Sequence, residues 1–124
     1  MGIGIDIIET SRFVGMDKEK MARMFSSREM DYIARKNYAP ETLAGLFSAK
    51  EAFFKAIGTG ISQNTIMDVE VLHQSSGAPY YNIGSKVRDE HKYLSTSKIQ
   101  LSISNTKELS VSVCIVIPTS IVNF

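Results

Sequence analysis

The strongest constraint on the fold is a pair of alternating stretches near the carboxyl end of the chain. Apolar residues occupy every second position over residues 99–103, and the same pattern runs longer over residues 109–117. A period of two is typical of β-strands, whose successive side chains point to opposite faces. Asn105-Thr106-Lys107 separates the stretches, and Pro118, a residue that strand interiors exclude, follows the second. The pattern predicts an antiparallel hairpin.

Helix signals dominate the first half of the chain. Asp17 suits an N-cap, Ser26 to Glu29 form a capping box, and Pro40 suits the first turn of a helix that Gly58 and Gly60 end. Strands are predicted at 69–73 and 80–83, and a weaker helix at 85–94. An order of strand, helices and then strands predicts an α+β fold, with an antiparallel sheet packed against helices. The 124 residues fit one domain, residues 1–124.

Composition excludes several classes of protein. A net charge of +1 argues against general nucleic-acid binding. No apolar run approaches the roughly 20 residues that span a bilayer, so no membrane segment is expected. We therefore expect a soluble, cytoplasmic protein. The single cysteine, Cys114, lies in a strand pattern and is interpreted as a small buried residue rather than a nucleophile.

The first strand pattern carries a carboxylate among glycines. Ile3, Ile5 and Ile7 alternate with Gly2, Gly4 and Asp6, which places Asp6 on the face that the glycines leave open. Glycine weakens a strand and often marks a close approach of another backbone. Taken alone, the segment favours the simpler interpretation, an edge strand that carries a solvated aspartate.

The second segment of interest runs from Lys50 to Gly60. Glu51 and Lys55 are four residues apart and share a helix face, as an ordinary exposed ion pair would. That interpretation leaves the Gly58-Thr59-Gly60 exit unexplained, because a glycine-rich bend beside a lysine can present backbone N–H groups to a phosphate. Mg²⁺ prefers one or two carboxylates together with phosphate oxygens and water. The residues alone therefore allow a Mg²⁺–phosphate site that contains Asp6 and Glu51.

The two segments resemble the two signature motifs of the 4′-phosphopantetheinyl transferase superfamily. The chain is most similar to its single-domain acyl-carrier-protein synthase group, and the resemblance continues through 68–71, 77–79 and 101–104. It implies the fold of that superfamily and Mg²⁺-dependent transfer of 4′-phosphopantetheine from coenzyme A to a serine of apo acyl carrier protein. The products would be holo carrier protein, which supports fatty acid biosynthesis, and 3′,5′-ADP. It also implies a homotrimer with sites between subunits.

The resemblance further assigns roles to residues. Asp6 and Glu51 would hold Mg²⁺, and Glu51, Asp6 and Lys55 would be catalytic, with the general base left open between Glu51 and a metal-bound water beside Asp6. Binding of coenzyme A would fall to Lys50, Lys55, Gly58, Thr59, Gly60 and Asn105. The acidic carrier protein would dock on Arg12, Lys20, Arg23 and Arg28, with Phe13, Met16, Met21, Met24 and Phe25 as apolar contacts.

Two positions depart from the family pattern. Leu46 stands where many relatives have an arginine that helps to bind the nucleotide, so Lys36 or another base would have to substitute. Asn105 stands where many have a histidine, and an amide cannot titrate near neutral pH. His73 and His91 are interpreted as core or surface residues rather than metal ligands.

Three alternatives remain at this stage. A broader enzyme for peptide-synthetase carrier domains would usually be about twice as long, and a non-catalytic carrier-protein binder is disfavoured by Asp6, Glu51 and Lys55. An unrelated small trimeric protein would need several coincidences of motif.

Overall fold

A computed structural model describes residues 1–119 of the chain. The strands are β1 (Gly2–Glu9), β2 (Val69–His73), β3 (Pro79–Ile83), β4 (Ser97–Asn105) and β5 (Leu109–Pro118). The helices are α1 (Lys18–Ala22), α2 (Ser27–Arg35), α3 (Pro40–Ala56) and α4 (Ser85–Glu90), with 3₁₀ turns at Thr10–Phe13, Ile66–Asp68 and Lys92–Thr96. The predicted α+β fold is confirmed. No helix within residues 1–119 is long and apolar enough to cross a membrane.

The helix starts follow the local sequence. Asp17 accepts a hydrogen bond from the backbone N–H of Lys20 at 2.7 Å, and Ser26 and Glu29 form both halves of the capping box. Pro40 occupies the first turn of α3, where its missing N–H costs nothing. The weaker helix predicted at 85–94 is wrong in its extent, because α4 ends at Glu90 and a separate 3₁₀ turn follows.

The main sheet has three antiparallel strands in the order β1-β5-β4, so the predicted hairpin forms and β5 lies at its centre. A second, two-stranded antiparallel sheet consists of β2 and β3. The long helix α3 packs on β1, β5 and β4, and it also contacts β2. Residues from α3 join both buried apolar clusters of the molecule, which makes this helix the centre of the fold.

The two faces of the main sheet differ sharply. Toward α3, the register brings Asp6 beside Ser112, and Gly4 beside Cys114. On the opposite face, Ile3, Ile5 and Ile7 remain 65%, 59% and 63% exposed. They are paired with partly exposed apolar residues of β5, namely Ile115, Val113 and Val111. We call these six residues the outer apolar face.

Candidate active site

Close packing of β1 against α3 creates the site. A side chain at Gly2 would collide with the carbonyl oxygen of Ala56, and one at Gly4 with that of Ala52. Glycine therefore allows the strand and the helix to approach each other at these positions. The approach places Asp6, on the same face of β1, next to the carboxyl-terminal half of α3.

Asp6 is covered by Lys55. The Lys55 ammonium donates to Asp6 Oδ1 at 3.1 Å and to the carbonyl oxygen of Ile5 at 3.2 Å. The Asp6 side chain is 13% exposed, whereas that of Lys55 is 52% exposed. The alternative interpretation, an edge strand with a solvated aspartate, is therefore correct for the strand and wrong for the aspartate. The strand is an edge, but its carboxylate faces the helix.

Glu51 completes a cluster of alternating charge. Burial raises the pKa of Glu51, the negative charge of Asp6 raises it further, and the charges of Lys55 and Arg12 act in the opposite direction. Glu51 and Lys55 are four residues apart on α3 and share one face of that helix, and Lys55 contacts Asp6. Sequence reasoning assigned Arg12 to carrier-protein docking and missed its proximity to Glu51, which no local pattern signals.

The donor set suits Mg²⁺. Both acids offer oxygen ligands, and their mutual repulsion is of the kind that a divalent cation relieves. Within residues 1–119, no group of three or more histidine, cysteine, aspartate or glutamate side chains could hold a metal ion. A cation here would depend on two carboxylates, so phosphate oxygens and water would have to supply the remaining ligands.

Lys50 lies elsewhere and corrects one expectation. Its side chain is fully buried, and its ammonium donates to Glu29 Oε1 at 2.8 Å and to two backbone carbonyl oxygens. Burial lowers the pKa of Lys50 and raises that of Glu29, while each charge favours the ionised form of the other. Because Lys50 has no free N–H and no exposed surface, this structure does not support phosphate binding by Lys50.

The glycine-rich exit of α3 is also less open than the sequence suggested. The N–H of Gly58 donates to Lys55 O at 3.1 Å, and that of Thr59 donates to Phe54 O at 2.9 Å. Gly58 has φ +80°, the left-handed conformation common at helix ends. These two N–H groups cap the helix, so among the three predicted residues only the N–H of Gly60 is left for a phosphate.

Leu46 and Asn105 share a separate cavity. It has a volume of about 200 Å³ and is also lined by Tyr32, Thr42 and His73, but not by Asp6, Glu51 or Lys55. The Asn105 amide lies 3.5 Å from the carbonyl oxygen of Glu41. Within one chain, the predicted coenzyme A residues are therefore not gathered at one site, because Lys50 is buried, Thr59 and Gly60 line another groove, and Asn105 lies in this cavity.

The predicted docking residues divide between two surfaces. Arg12 and Lys20 line a groove of about 200 Å³ together with Met16, Met24 and Phe47. We call it the basic groove; Arg23 is exposed nearby on the same short helical region and lies 3.9 Å from Glu19.

Arg28 does not join the basic groove. It lines another groove with Tyr32 and Arg35, and it is bound to Glu70 at 2.7 Å. Among the predicted apolar contacts, only Met16 and Met24 are partly exposed. The others are core residues, namely Phe13, Met21 and Phe25.

Cys114 and His73 have structural rather than chemical roles. Cys114 is fully buried, and burial raises the pKa of its thiol to about 11, which keeps it protonated. The His73 ring stacks on Tyr32 with centroids 4.0 Å apart, and burial together with the charge of Lys36 lowers its pKa. A neutral, stacked ring suits the predicted structural role.

Comparison with known proteins gives the family. Residues 2–114 match the family model of the 4′-phosphopantetheinyl transferase superfamily. The chain belongs to this superfamily. This match confirms the resemblance seen in the sequence, and it makes this protein a transferase.

Individual relatives agree with the family model. A holo-[acyl-carrier-protein] synthase of Clostridium tetani (strain Massachusetts / E88) is 35% identical over 119 residues, with 94% of each chain covered. A crystal structure of a holo-(acyl-carrier-protein) synthase from Bacillus anthracis str. Ames, in complex with CoA (3′,5′-ADP), is 34% identical, covers 94% of both chains and has a TM-score of 0.74. A crystal structure of Helicobacter pylori holo-[acyl-carrier-protein] synthase in complex with coenzyme A is 25% identical to the present chain. The match covers 92% of the present chain and 98% of the Helicobacter pylori chain, with a TM-score of 0.74.

Proposed function

We propose that this chain transfers 4′-phosphopantetheine from coenzyme A to a serine of apo acyl carrier protein, in the presence of Mg²⁺. The observation that carries the proposal is the convergence of Asp6, Glu51 and Lys55 at one point of a chain in this family. Two related structures are complexes with coenzyme A, which supports the choice of donor.

Asp6 and Glu51 would hold Mg²⁺, which when bound supplies positive charge to the pyrophosphate. Lys55 is exposed enough to reach a phosphate oxygen while it stays beside Asp6, and the N–H of Gly60 adds a neutral donor. Such a site acts mainly by positioning the reactants and neutralising their charge.

The serine oxygen of the carrier protein attacks the phosphorus that bears the pantetheine arm. A new O–P bond forms while the bond from that phosphorus to the bridging oxygen breaks, and 3′,5′-ADP leaves with the bonding electrons. The serine proton would pass to the Glu51 carboxylate or to a water beside Asp6. Attack at this phosphorus keeps the pantetheine arm on the phosphate that is transferred.

We propose that copies of this chain associate as a trimer through the outer apolar face. Soluble monomers rarely expose contiguous apolar patches of this kind. As the family resemblance implies, the cavity of Leu46 and Asn105 on one copy would face Asp6 and Glu51 on the next. The site would then be complete only between copies.

The basic groove is proposed as the docking surface for the carrier protein. Arg12 and Lys20 supply positive charge and Met16 and Met24 supply apolar surface, a combination that suits an acidic protein with an apolar patch. The positive charge of Arg12 also favours the ionised form of Glu51, which links the groove to the proposed site. That the protein acts in the cytoplasm and supports fatty acid biosynthesis stays a prediction.

The first test is intact-mass analysis of apo acyl carrier protein incubated with this protein, coenzyme A and Mg²⁺. We expect a gain of one phosphopantetheine and, in an EDTA control, no gain. Binding of carrier protein without a mass gain would instead favour a non-catalytic binder, and the departures at Leu46 and Asn105 would be examined first.

The second test replaces one carboxylate. Glu51→Gln keeps the size of the side chain but removes its charge, so we expect transfer to fall by at least about 100-fold while the circular dichroism spectrum is unchanged. Asp89→Asn is the matched control, because Asp89 is exposed and outside the site. Normal turnover by Glu51→Gln would remove Glu51 from the proposed mechanism.

A further inference from the structure

A buried ion pair joins three parts of the chain behind the site. The Lys50 ammonium donates to Glu29 Oε1 and to the carbonyl oxygens of Ile66 and Val69, at 2.8, 2.8 and 2.9 Å. Lysine has three N–H donors, and all three are used. One side chain of α3 is thereby tied to α2 and to the segment that enters β2.

Glu29 is equally well satisfied. Its Oε1 also accepts from the backbone N–H of Ser26 at 2.9 Å, and its Oε2 accepts from the N–H of Val71 at 2.9 Å. Both side chains are fully buried. The pair thus has one fixed geometry, because any rotation of α3 or shift of α2 would break hydrogen bonds that buried surroundings cannot replace.

The position of this pair relative to the site is informative. Glu51 is the next residue after Lys50 on α3, so the rotation that Lys50 fixes also sets the direction of Glu51. The loop of residues 57–65 leaves α3 with Gly58 to Gly60 and rejoins the core at Ile66, whose carbonyl oxygen Lys50 holds. Lys50 therefore anchors both a proposed metal ligand and the far end of the proposed phosphate loop.

We infer that the Glu29–Lys50 pair is a positioning element that holds Glu51 and the 57–65 loop in place for the transfer reaction. The inference rests on the proposed function, and it assigns to Lys50 a role other than phosphate binding. A buried pair of this kind is often no more stabilising than apolar residues of similar size. Its directional bonds distinguish it from apolar packing, since they restrict rotation of α3 in a way that packing alone does not.

The test compares Glu29→Asp and Lys50→Met with Ile33→Val. Glu29→Asp keeps the charge but shortens the reach to Lys50, and Lys50→Met removes the charge while keeping the length. Ile33→Val is the matched control, because it deletes one methyl group from the same helix as Glu29 at another fully buried position. Each variant is assayed where circular dichroism shows it folded, and turnover is divided by the folded fraction.

We expect Glu29→Asp to lower kcat about tenfold and Lys50→Met to lower it more, with KM for carrier protein changed less than threefold. Hydrogen exchange in a peptide covering residues 57–68 should accelerate at least fivefold in both variants. Ile33→Val should change neither quantity. The exchange measurement needs no transferase activity, so failure of the proposed function, seen as an inactive wild-type protein, is distinct from failure of this inference.

Other outcomes would overturn the inference. The inference fails if the kcat per folded molecule of Glu29→Asp stays within twofold of wild type, or if hydrogen exchange at 57–68 is unchanged in the variants. It also fails if Ile33→Val loses as much kcat as Glu29→Asp. If Glu29→Asp does not fold even at 10 °C, the pair is an element of folding rather than of positioning, and the assignment fails as well.

Discussion

Gly2 and Gly4 set the spacing on which the site depends. Both face carbonyl oxygens of α3, and neither position has room for a methyl group. The same face of β1 carries Asp6, so the distance between strand and helix is also the distance between Asp6 and the residues of α3. Small residues in the strand thereby allow an acidic residue two positions further on to reach the helix.

Gly4→Ala should therefore force β1 and α3 apart. We expect a loss of about 1–3 kcal/mol in the free energy of unfolding, as overpacking usually costs, and a parallel loss of transfer activity. Urea denaturation measures the first and the mass assay the second. Gly45→Ala is the stability control, because its new methyl group would lie 3.6 Å from the Ile103 side chain, an ordinary contact. Alanine there should be neutral or stabilising by up to about 1 kcal/mol, since it replaces glycine inside α3; equal losses in both variants would contradict the packing argument.

At the scale of elements, a polar network fixes the start of α2. Ser26 Oγ donates to Glu70 Oε2 at 2.6 Å, and Glu70 Oε1 accepts from Arg28 at 2.7 Å and from Asn82 at 2.8 Å. Burial alone would raise the pKa of Glu70, but these hydrogen bonds together lower it to about 2. One carboxylate thus links α2 to β2 and β3.

This network should make stability depend on acid pH. The folded-state pKa of Glu70 lies below its ordinary value of 4.5, so the ionised form stabilises the fold. The contribution is fully present above pH 4.5 and is lost as the pH falls toward 2. Glu70→Gln should cost about 1 kcal/mol at pH 7, and the difference from wild type should shrink as the pH approaches 2. Urea denaturation at pH 7, 4 and 2.5 checks this, and a constant difference would contradict it.

The basic groove provides a second prediction at this scale. Exchanging Lys20 for glutamate, with Arg12 left in place because its charge acts on Glu51, should raise KM for acyl carrier protein at least about threefold and the apparent KM for coenzyme A far less, because opposite charges mainly steer protein association. Steady-state kinetics at low and high salt measure both, and the carrier effect should diminish with salt. Lys92→Glu, a charge reversal at an exposed lysine outside the groove, is the control. Equal changes in both KM values would remove the groove from docking.

Local signals predicted the elements well, whereas contacts between elements were harder to foresee. Asp17, the Ser26 capping box and Pro40 act on residues within one turn, so the sequence displays them. Lys50 looked like a cation in a signature motif, and its partner Glu29 lies on another helix 21 positions away. Nothing local distinguishes a buried lysine from an exposed one, except that Lys50 interrupts an apolar stripe.

At the scale of the whole molecule, the part of the main sheet nearest the site turns small and polar residues toward α3 and leaves the outer apolar face exposed. Alternation in β1 and β5 predicted two different faces but could not say which one meets the helix. The glycines and serines decide this, because only small residues let α3 come so close. Asp6, Ser110 and Ser112 then face inward, and the six residues of the outer apolar face point outward.

The proposed trimer can be tested through the outer apolar face. Ile5→Asp places a charge at its centre without touching α3, so we expect the assembly to dissociate to monomers while each chain stays folded. Activity should fall at least about 100-fold if sites lie between copies. Sedimentation velocity measures the size, and Lys92→Glu, an exposed change outside the sheet, is the control. A wild-type protein that sediments as a monomer would refute the proposed assembly directly.

The strand order has a consequence for how the chain folds. Gly2 pairs with Val116, and β5 supplies the hydrogen bonds for both of its neighbours. During synthesis, β1 leaves the ribosome long before its partner β5, so its row of isoleucines stays unpaired while the intervening helices form. Pairing between such distant segments is slow, and an unpaired apolar strand is prone to aggregate. Slowed translation of the segment before β5 should therefore lower the yield of soluble protein more than the same delay placed after it.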